Sequence, residues 1–296
     1  MRYAFYIIIA GCLWGIISIF INILNAAGFD SMQCVALRTV FTALILLVYL
    51  LVSDRSKLKI RLKDIPFFIG TGIFSIVLFN YCYFESIELI GGSTVPALLL
   101  YTAPIFVMIM SAIFFRERIT KKKILALILT FAGLGFVTGA FTGGSEIPVK
   151  ALILGLGSGF GYALYSIFGK FLVDKYDAMT ITFYTFVVAA AGAVPLSGVG
   201  AQIGLLAAPN TLLVAAGLAL LSTVLPFLLY TKGLACVEAG RASVLATVEP
   251  FVAEIVGAVF FREQFTVSKI VGMLLIIGAI LYLNMGNSTK IETKSL

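Results

Sequence analysis

Ten apolar stretches run along the chain, separated by short polar or glycine-containing segments. A helix rises about 1.5 Å per residue, so about 20 apolar residues cross a hydrocarbon core of about 30 Å. Each stretch is therefore predicted to be a transmembrane helix. The predicted spans are 4–24, 32–52, 66–86, 93–113, 124–141, 151–170, 178–196, 210–230, 242–260 and 268–285.

The first span is interpreted as a membrane helix and not a signal peptide, because no small-residue cleavage site follows it. The polar residues 287–296 predict a disordered tail.

The composition supports this interpretation. Of the 296 residues, 61% are hydrophobic and 12% are charged, whereas soluble domains are about 45–50% apolar and about 25% charged. The chain lacks the charged surface that a water-soluble protein needs. The predicted fold class is an all-α, polytopic membrane protein whose main surrounding is the lipid bilayer.

The positions of the basic residues predict an orientation. With the N-terminus inside, nearly all of the 21 Lys and Arg residues lie in inner loops, and only Lys150, Arg262 and Lys269 lie outside. Positive residues favour the cytoplasmic side, so both termini are predicted to be cytoplasmic in a multi-pass protein of the cell membrane. The net charge of +7 comes from these short loops without a basic-aromatic groove, which argues against nucleic-acid binding.

The two halves of the chain resemble each other. The stretch YTAPIFVMIMSAIFFRERIT (101–120) matches ATVEPFVAEIVGAVFFREQFT (246–266), and Pro104 and Pro250 are 146 residues apart. The same spacing relates a GxxxG at Gly11 and Gly15 to one at Gly157 and Gly161. The chain is therefore predicted to contain two five-helix units, 1–145 and 146–286. Because five is odd, the second unit would cross the membrane in the inverted sense, an arrangement that recurs in transporters.

These features resemble the EamA-type transporters of the drug/metabolite transporter superfamily. The resemblance rests on the paired helix ends FFRERIT and FFREQFT, the proline in each fourth helix, and the run ALRTVFTALILL (36–47). It implies that the first, third, fourth, sixth, eighth and ninth helices surround a cavity that opens alternately to either side. It also implies small metabolites as cargo, often amino acids moving outward.

Four charged residues fall within predicted spans, where each costs about 2.5–3.5 kcal/mol at the helix centre. They are Arg38, Glu85, Glu249 and Glu254. One of the two acids Glu249 and Glu254 is predicted to line the cavity. Glu249, which abuts Pro250, is favoured over Glu254, and a structural role is the alternative for each. Depths counted along each helix place Arg38 and Glu254 at a similar level. They are therefore predicted to form an ion pair, with either a coupling or a structural role.

Uncharged polar and aromatic residues are predicted to line the same cavity, where they could stack on a substrate or offer a hydroxyl. The substrate-binding candidates beside Glu249 are Trp14, Asn22, Asn80, Tyr83, Tyr101, Tyr162 and Tyr165. Tyr230 is a further candidate, although tyrosines also favour the membrane interface. The acids of the two FFRE motifs, Glu117 and Glu263, are predicted to be helix-end residues paired with a neighbouring Lys or Arg.

Several kinds of chemistry are not indicated. The chain contains no histidine, and its four cysteines form no CxxC pair, which argues against zinc and redox sites. The glycine-rich segment 155–170 lacks the spacing of a nucleotide loop and is interpreted as helix packing. No cofactor is predicted, and the expected partners are a small-molecule substrate and protons as a candidate coupling ion. A monomer and a homodimer both remain open. A secondary transporter is favoured over a membrane-embedded enzyme or a channel.

Overall fold

A computed structural model describes residues 2–138, 147–262, 264 and 266–285. These residues form ten long helical units joined by short connections. The units are α1 Arg2–Ala26, α2 Ser31–Ser53, α3 Leu62–Ile90, α4 Thr94–Phe115, α5 Lys121–Thr138, α6 Val149–Leu172, α7 Ala178–Ser197, α8 Pro209–Cys236, α9 Ala239–Phe260 and α10 Val267–Asn284. Short 3-10 segments occupy Arg55–Leu58 and Val199–Ala207. The predicted tail 287–296 and Glu263 lie outside the described residues.

Nine of these described helices are long and apolar enough to cross a membrane. The exception is α5, which begins with three lysines. The lateral surface carries large exposed apolar side chains such as Phe5, Val52 and Leu213, as expected where lipid takes the place of water. The described part of the chain is thus all-helical, and its apolar helices indicate a multi-pass membrane protein.

Local sequence signals set several helix starts. Asp30 precedes α2 and forms a capping box, because its carboxylate accepts from the Gln33 backbone N–H while the Gln33 side chain accepts from the Asp30 N–H. Asp177 accepts from the Thr180 backbone N–H at the start of α7. Each cap satisfies amide groups that have no partner within the helix.

Helices α4 and α9 are each interrupted near their middle. The two segments of α4 are Thr94–Leu100 and Ala103–Phe115, and those of α9 are Ala239–Ala246 and Val248–Phe260. A proline stands in the first turn of each second segment, Pro104 and Pro250. Proline is tolerated there but lacks the N–H that would continue the preceding helix. The breaks therefore occur at matching places in the two halves.

Other irregularities recur in both halves. Segments of π-helix occupy Gly70–Val77 in α3 and Leu220–Val224 in α8. Two described residues other than glycine have positive φ, Arg116 and Arg262, both at 56°, and each follows the end of an interrupted helix. A positive φ is uncommon for such residues, so its recurrence 146 residues apart reflects a shared local structure.

The helices pack around a central space. Helix α1 contacts α8 and α9, α3 contacts α6 and α7, and α4 contacts α6 and the first segment of α9. Helices α5 and α10 pack on each other at the periphery. The GxxxG of α1 allows the close contact with α9. A Cβ added to Gly15 would lie 2.8 Å from the backbone carbonyl oxygen of Glu249.

The helix ends define two faces. We call the face with Lys123 the Lys123 face. There the Nζ of Lys175 lies 2.6 Å from Asp64, and the Nζ of Lys57 lies 2.8 Å from Asp177. The hydrogen bond to Asp177 raises the pKa of Lys57. We call the opposite face the Ser93 face, since the α3–α4 connection lies there.

Candidate functional site

A central cavity of about 420 Å³ lies between the helices. Its lining changes from exposed residues, Asn22 and Ser93, to the buried side chains of Ser166 and Tyr230. The cavity therefore opens towards the Ser93 face and ends before the Lys123 face. The lining includes all eight predicted substrate-binding residues, which are Trp14, Asn22, Asn80, Tyr83, Tyr101, Tyr162, Tyr165 and Glu249.

Glu249 provides the carboxylate of the cavity. It lies in the first turn of the second segment of α9, immediately before Pro250. Its Oε2 accepts a hydrogen bond of 3.1 Å from the Tyr162 hydroxyl, and Tyr101 lies close enough to interact with the same carboxylate. The helix break and the close approach of Gly15 fix the backbone at Glu249, so its carboxylate is positioned in the lining of the cavity.

Aromatic rings form one wall of the cavity. The Trp14 ring lies 6.2 Å from Tyr162, 5.1 Å from Phe227 and 5.3 Å from Tyr230, measured between ring centroids. Edge-to-face and tilted contacts at such distances are favourable for aromatic pairs. This wall gives the cavity an apolar surface that adjoins the Glu249 carboxylate through Tyr162.

Two hydrogen bonds close the deep end. The Tyr165 and Thr231 hydroxyls lie 2.7 Å apart, as do those of Ser166 and Tyr230. They join α6 to α8. Tyr230 is only 3% exposed, so it lines the cavity and does not occupy the membrane interface that the sequence offered as an alternative.

The second helix also contributes to the cavity. Arg38 lines it and is 5% exposed, and its Nε atom has no hydrogen-bond partner. Arg38 interacts with Glu249 through space, although the two do not come within ion-pair distance among the contacts of the described residues. Asn80 uses its amide N–H to donate to the Ile76 carbonyl at 2.7 Å, which leaves its carbonyl oxygen available to a ligand.

The predicted pairing of Arg38 with Glu254 is wrong. The Glu254 carboxylate instead lies 2.7 Å from the Nζ of Lys269, at the start of α10. Glu254 is absent from the residues that line the cavity. Glu254 follows Glu249 by five positions, which turns the two side chains to different sides of α9. Glu254 therefore faces α10, while Glu249 faces the cavity.

Some lining residues were not predicted. They are mostly apolar or small hydroxyl side chains, including Phe79, Phe227, Ser75 and Ser166. Such residues are common throughout membrane helices, so residue type alone does not single them out. The only available signal was position on a helix that already carried a predicted lining residue.

A polar cluster closes the Lys123 face. The Glu117 carboxylate accepts from the backbone N–H groups of Ala239 at 2.7 Å and Gly240 at 3.1 Å, at the start of α9. Lys123 lies 2.8 Å from the Glu238 carboxylate and 3.9 Å from that of Glu117. Glu117 is thus the helix-end residue that was predicted, but its closest partners are amide groups of a different helix.

Comparison with known proteins identifies the family. The model of the EamA-like transporter family matches residues 1–139 and 149–285. The chain belongs to the EamA-like transporter family. An uncharacterized transporter of Archaeoglobus fulgidus is 30% identical to the chain over 93% of each protein. The uncharacterized transporter YetK of Bacillus subtilis is 25% identical over 82% of this chain and 75% of its own length.

The fold has a counterpart among solved structures. One crystal structure of a protein aligns with 95% of this EamA-family chain and 96% of its own, with a TM-score of 0.76 and 15% sequence identity. At this identity the similarity concerns the fold alone. Together, the family and the transporter relatives indicate a membrane transporter and not an enzyme.

Proposed function

We propose that this protein is a secondary transporter that moves a small metabolite, an amino acid or an amine, through the central cavity by alternating access. In this proposal all ten helices span the cell membrane as two inverted five-helix repeats, 1–145 and 146–286. The Lys123 face, rich in basic residues, is the cytoplasmic one, and both termini lie there. The transport direction that fits the family resemblance is export. The proposal holds equally for a monomer and for a homodimer.

The observation that carries the proposal is the Glu249 carboxylate in an aromatic cavity at a helix break. Intramembrane acids are costly and commonly mark substrate or proton pathways. Discontinuous helices commonly form the binding sites of transporters. A carboxylate beside the rings of Trp14 and Tyr162 suits an ammonium group, which gains both charge attraction and a cation–π contact.

The access to the cavity fits one state of a transport cycle. The cavity is open towards the Ser93 face, and the Glu117 contact with Ala239 and Gly240 holds the other end closed. The opposite state requires this contact to break and the Ser93 face to close. The breaks in α4 and α9 are positions where such a change of helix direction needs little distortion.

Glu249 is also the proposed site of proton coupling. A carboxylate that binds either a proton or a substrate ammonium group can exchange one for the other across the membrane. The titratable groups that interact with it are Arg38 of α2, Tyr83 of α3, Tyr101 of α4 and Tyr162 of α6. Of these groups and Glu249, only the carboxylate ordinarily changes charge below neutral pH.

Uptake by proteoliposomes tests the proposal. The purified protein would be offered radiolabelled amino acids and amines, one at a time, with and without a proton gradient. We expect saturable, time-dependent uptake of at least one compound, and a large decrease of that uptake in Glu249→Gln, with a residual flux that does not vary with pH. A protein that moves no compound of the panel under any gradient, yet chemically modifies a lipid or peptide, would be an enzyme and would contradict the proposal.

A further inference from the structure

Arg38 differs from the enclosed charges at the Lys123 face. Lys123, whose side chain is 6% exposed, pairs with Glu238, and Asp64 pairs with Lys175. The side chain of Arg38 lines the cavity at 5% exposure, and none of the hydrogen bonds or ion pairs found in the described part of the chain involves its guanidinium. An enclosed cation without a direct partner costs several kcal/mol. The fold therefore leaves Arg38 without the direct partner that it provides for Lys123 and Asp64.

Glu249 supplies the opposite charge in the same cavity. Its neighbour Tyr162 donates a hydrogen bond to the carboxylate, and a neutral donor leaves the negative charge uncompensated. Arg38 and Glu249 influence each other electrostatically but do not touch. The cavity thus presents one cation and one anion, separated and both accessible to a ligand.

We propose that Arg38 and Glu249 form a two-point site for a zwitterion, in which Arg38 binds the carboxylate and Glu249 binds the ammonium group of a neutral amino acid. This proposal rests on the transport function proposed above and narrows its substrate. A planar guanidinium can bind a carboxylate through two parallel hydrogen bonds. A simple amine would leave Arg38 unpaired, so Arg38 becomes the residue that selects amino acids over amines.

The rest of the cavity indicates the kind of side chain. Beyond the two charges, most of the wall consists of aromatic and aliphatic groups such as Trp14, Phe79 and Phe227, with a few uncharged polar groups such as Asn80 and Ser75 among them. No further charged residue is among those that line the cavity. Its volume of about 420 Å³ lies in the usual range for small-molecule pockets, roughly 300–1,000 Å³. We therefore expect an apolar side chain, aliphatic or aromatic.

Matched ligands test the two points separately. The probes are L-leucine, 3-methylbutylamine, which is leucine without its carboxylate, and 4-methylpentanoate, which is leucine without its amino group. L-phenylalanine, 2-phenylethylamine and 3-phenylpropanoate form a second set. Binding is measured by calorimetry on the full chain in lipid nanodiscs. In the wild-type protein, at least one amino acid should bind more tightly than both of its truncated analogues, on the order of 10- to 100-fold.

Substitutions then test which residue binds the carboxylate of the ligand and which binds its ammonium group. Arg38→Gln should abolish the preference for the amino acid over the amine by lowering amino acid affinity, and amine affinity should not fall, because the removed charge repels an ammonium group. Arg38→Lys should restore part of the preference, because it keeps the charge but not the paired geometry. Glu249→Gln should weaken amino acid and amine binding but should not weaken carboxylate binding. Lys57→Gln removes a positive charge from the exposed pair with Asp177 and should change no affinity.

The outcomes separate this inference from the transport function. If the wild-type protein binds each amine as tightly as its amino acid, the inference is wrong even when transport occurs. It is also wrong if folded Arg38→Gln keeps the wild-type preference. If Arg38→Gln does not fold, the affinities of the wild-type protein for the six ligands and those of Arg38→Lys still test the inference. Absence of flux for every compound in proteoliposomes would instead contradict the transport function.

Discussion

Glu117 is expected to control which face of the cavity is closed. Its side chain is 8% exposed and accepts from two backbone N–H groups at the start of α9, those of Ala239 and Gly240. A hydrogen bond to a charged group contributes about 1.5–3 kcal/mol, so the two together contribute at least about 3 kcal/mol. Because about 1.4 kcal/mol changes an equilibrium tenfold, Glu117→Ala should shift the protein towards opening at the Lys123 face by roughly 100-fold.

A cysteine at Ser111 would report this opening. Ser111 is 1% exposed and lies beside Gly240 where α4 meets α9, so a thiol there is protected while the Lys123 face is closed. In a background without the four native cysteines, the alkylation rate of Ser111→Cys should rise roughly 100-fold on adding Glu117→Ala. Glu117→Gln should give a smaller increase, because the amide oxygen can still accept one of the bonds.

Glu238→Gln provides the matched control. It removes a carboxylate from the same cluster, but this carboxylate is 55% exposed. Lys123 still has the Arg118 carbonyl at 3.0 Å and the Glu117 carboxylate at 3.9 Å, so the loss should stay near that of exposed pairs, about 0–1 kcal/mol. Its effect on the alkylation rate should stay within about fivefold. An unchanged rate in a folded Glu117→Ala protein would refute the proposed role of Glu117, as would an equal response to both substitutions.

Three further predictions concern other parts of the molecule. Glu249→Gln should remove the pH dependence of transport without lowering Tm, as measured by proteoliposome flux between pH 5 and pH 8. A flux that varies with pH as in the wild-type protein would make Glu249 a structural residue. Trp14→Ala should destabilise the fold by about 3–5 kcal/mol, as large aromatic truncations do, and weaken substrate binding, whereas Trp14→Phe should retain most of both. Gly133→Val should lower Tm, because its Cβ would lie 2.7 Å from the Gly272 carbonyl oxygen. Gly278→Val should leave Tm unchanged, because Gly278 has open space around it. Equal Tm losses in the two glycine variants would contradict that packing.

The sequence predicted the helices well because a membrane span leaves a strong signal. Each of the ten apolar stretches overlaps one helical unit, although several helices extend further. For example, α3 begins at Leu62 and not at 66, and α8 continues to Cys236 and not to 230. Hydrophobicity marks the part of a helix in lipid but not the polar turns that continue it. The π-helical segments and the breaks in α4 and α9 depend on tertiary packing, which periodicity does not reveal.

The cavity could be predicted in part. Glu249 stood out because a carboxylate within a span is costly and this one abuts a proline. Polar residues on the neighbouring helices were predicted to line the same cavity. The pairing of Arg38 with Glu254 failed because depth along a helix does not determine which neighbour a side chain faces. Lys269, the actual partner of Glu254, lies close by only because α9 and α10 pack together.

The claim that substrate passes through the Glu249 cavity is tested most directly at Ala253, which lines it one turn beyond Glu249. In a background without native cysteines, Ala253→Cys would be labelled with a bulky thiol reagent, and exchange of radiolabelled leucine or phenylalanine would be followed in proteoliposomes. We predict that labelling stops the exchange and that the unlabelled amino acid slows the labelling. Complete labelling that leaves exchange at its original rate would contradict the account.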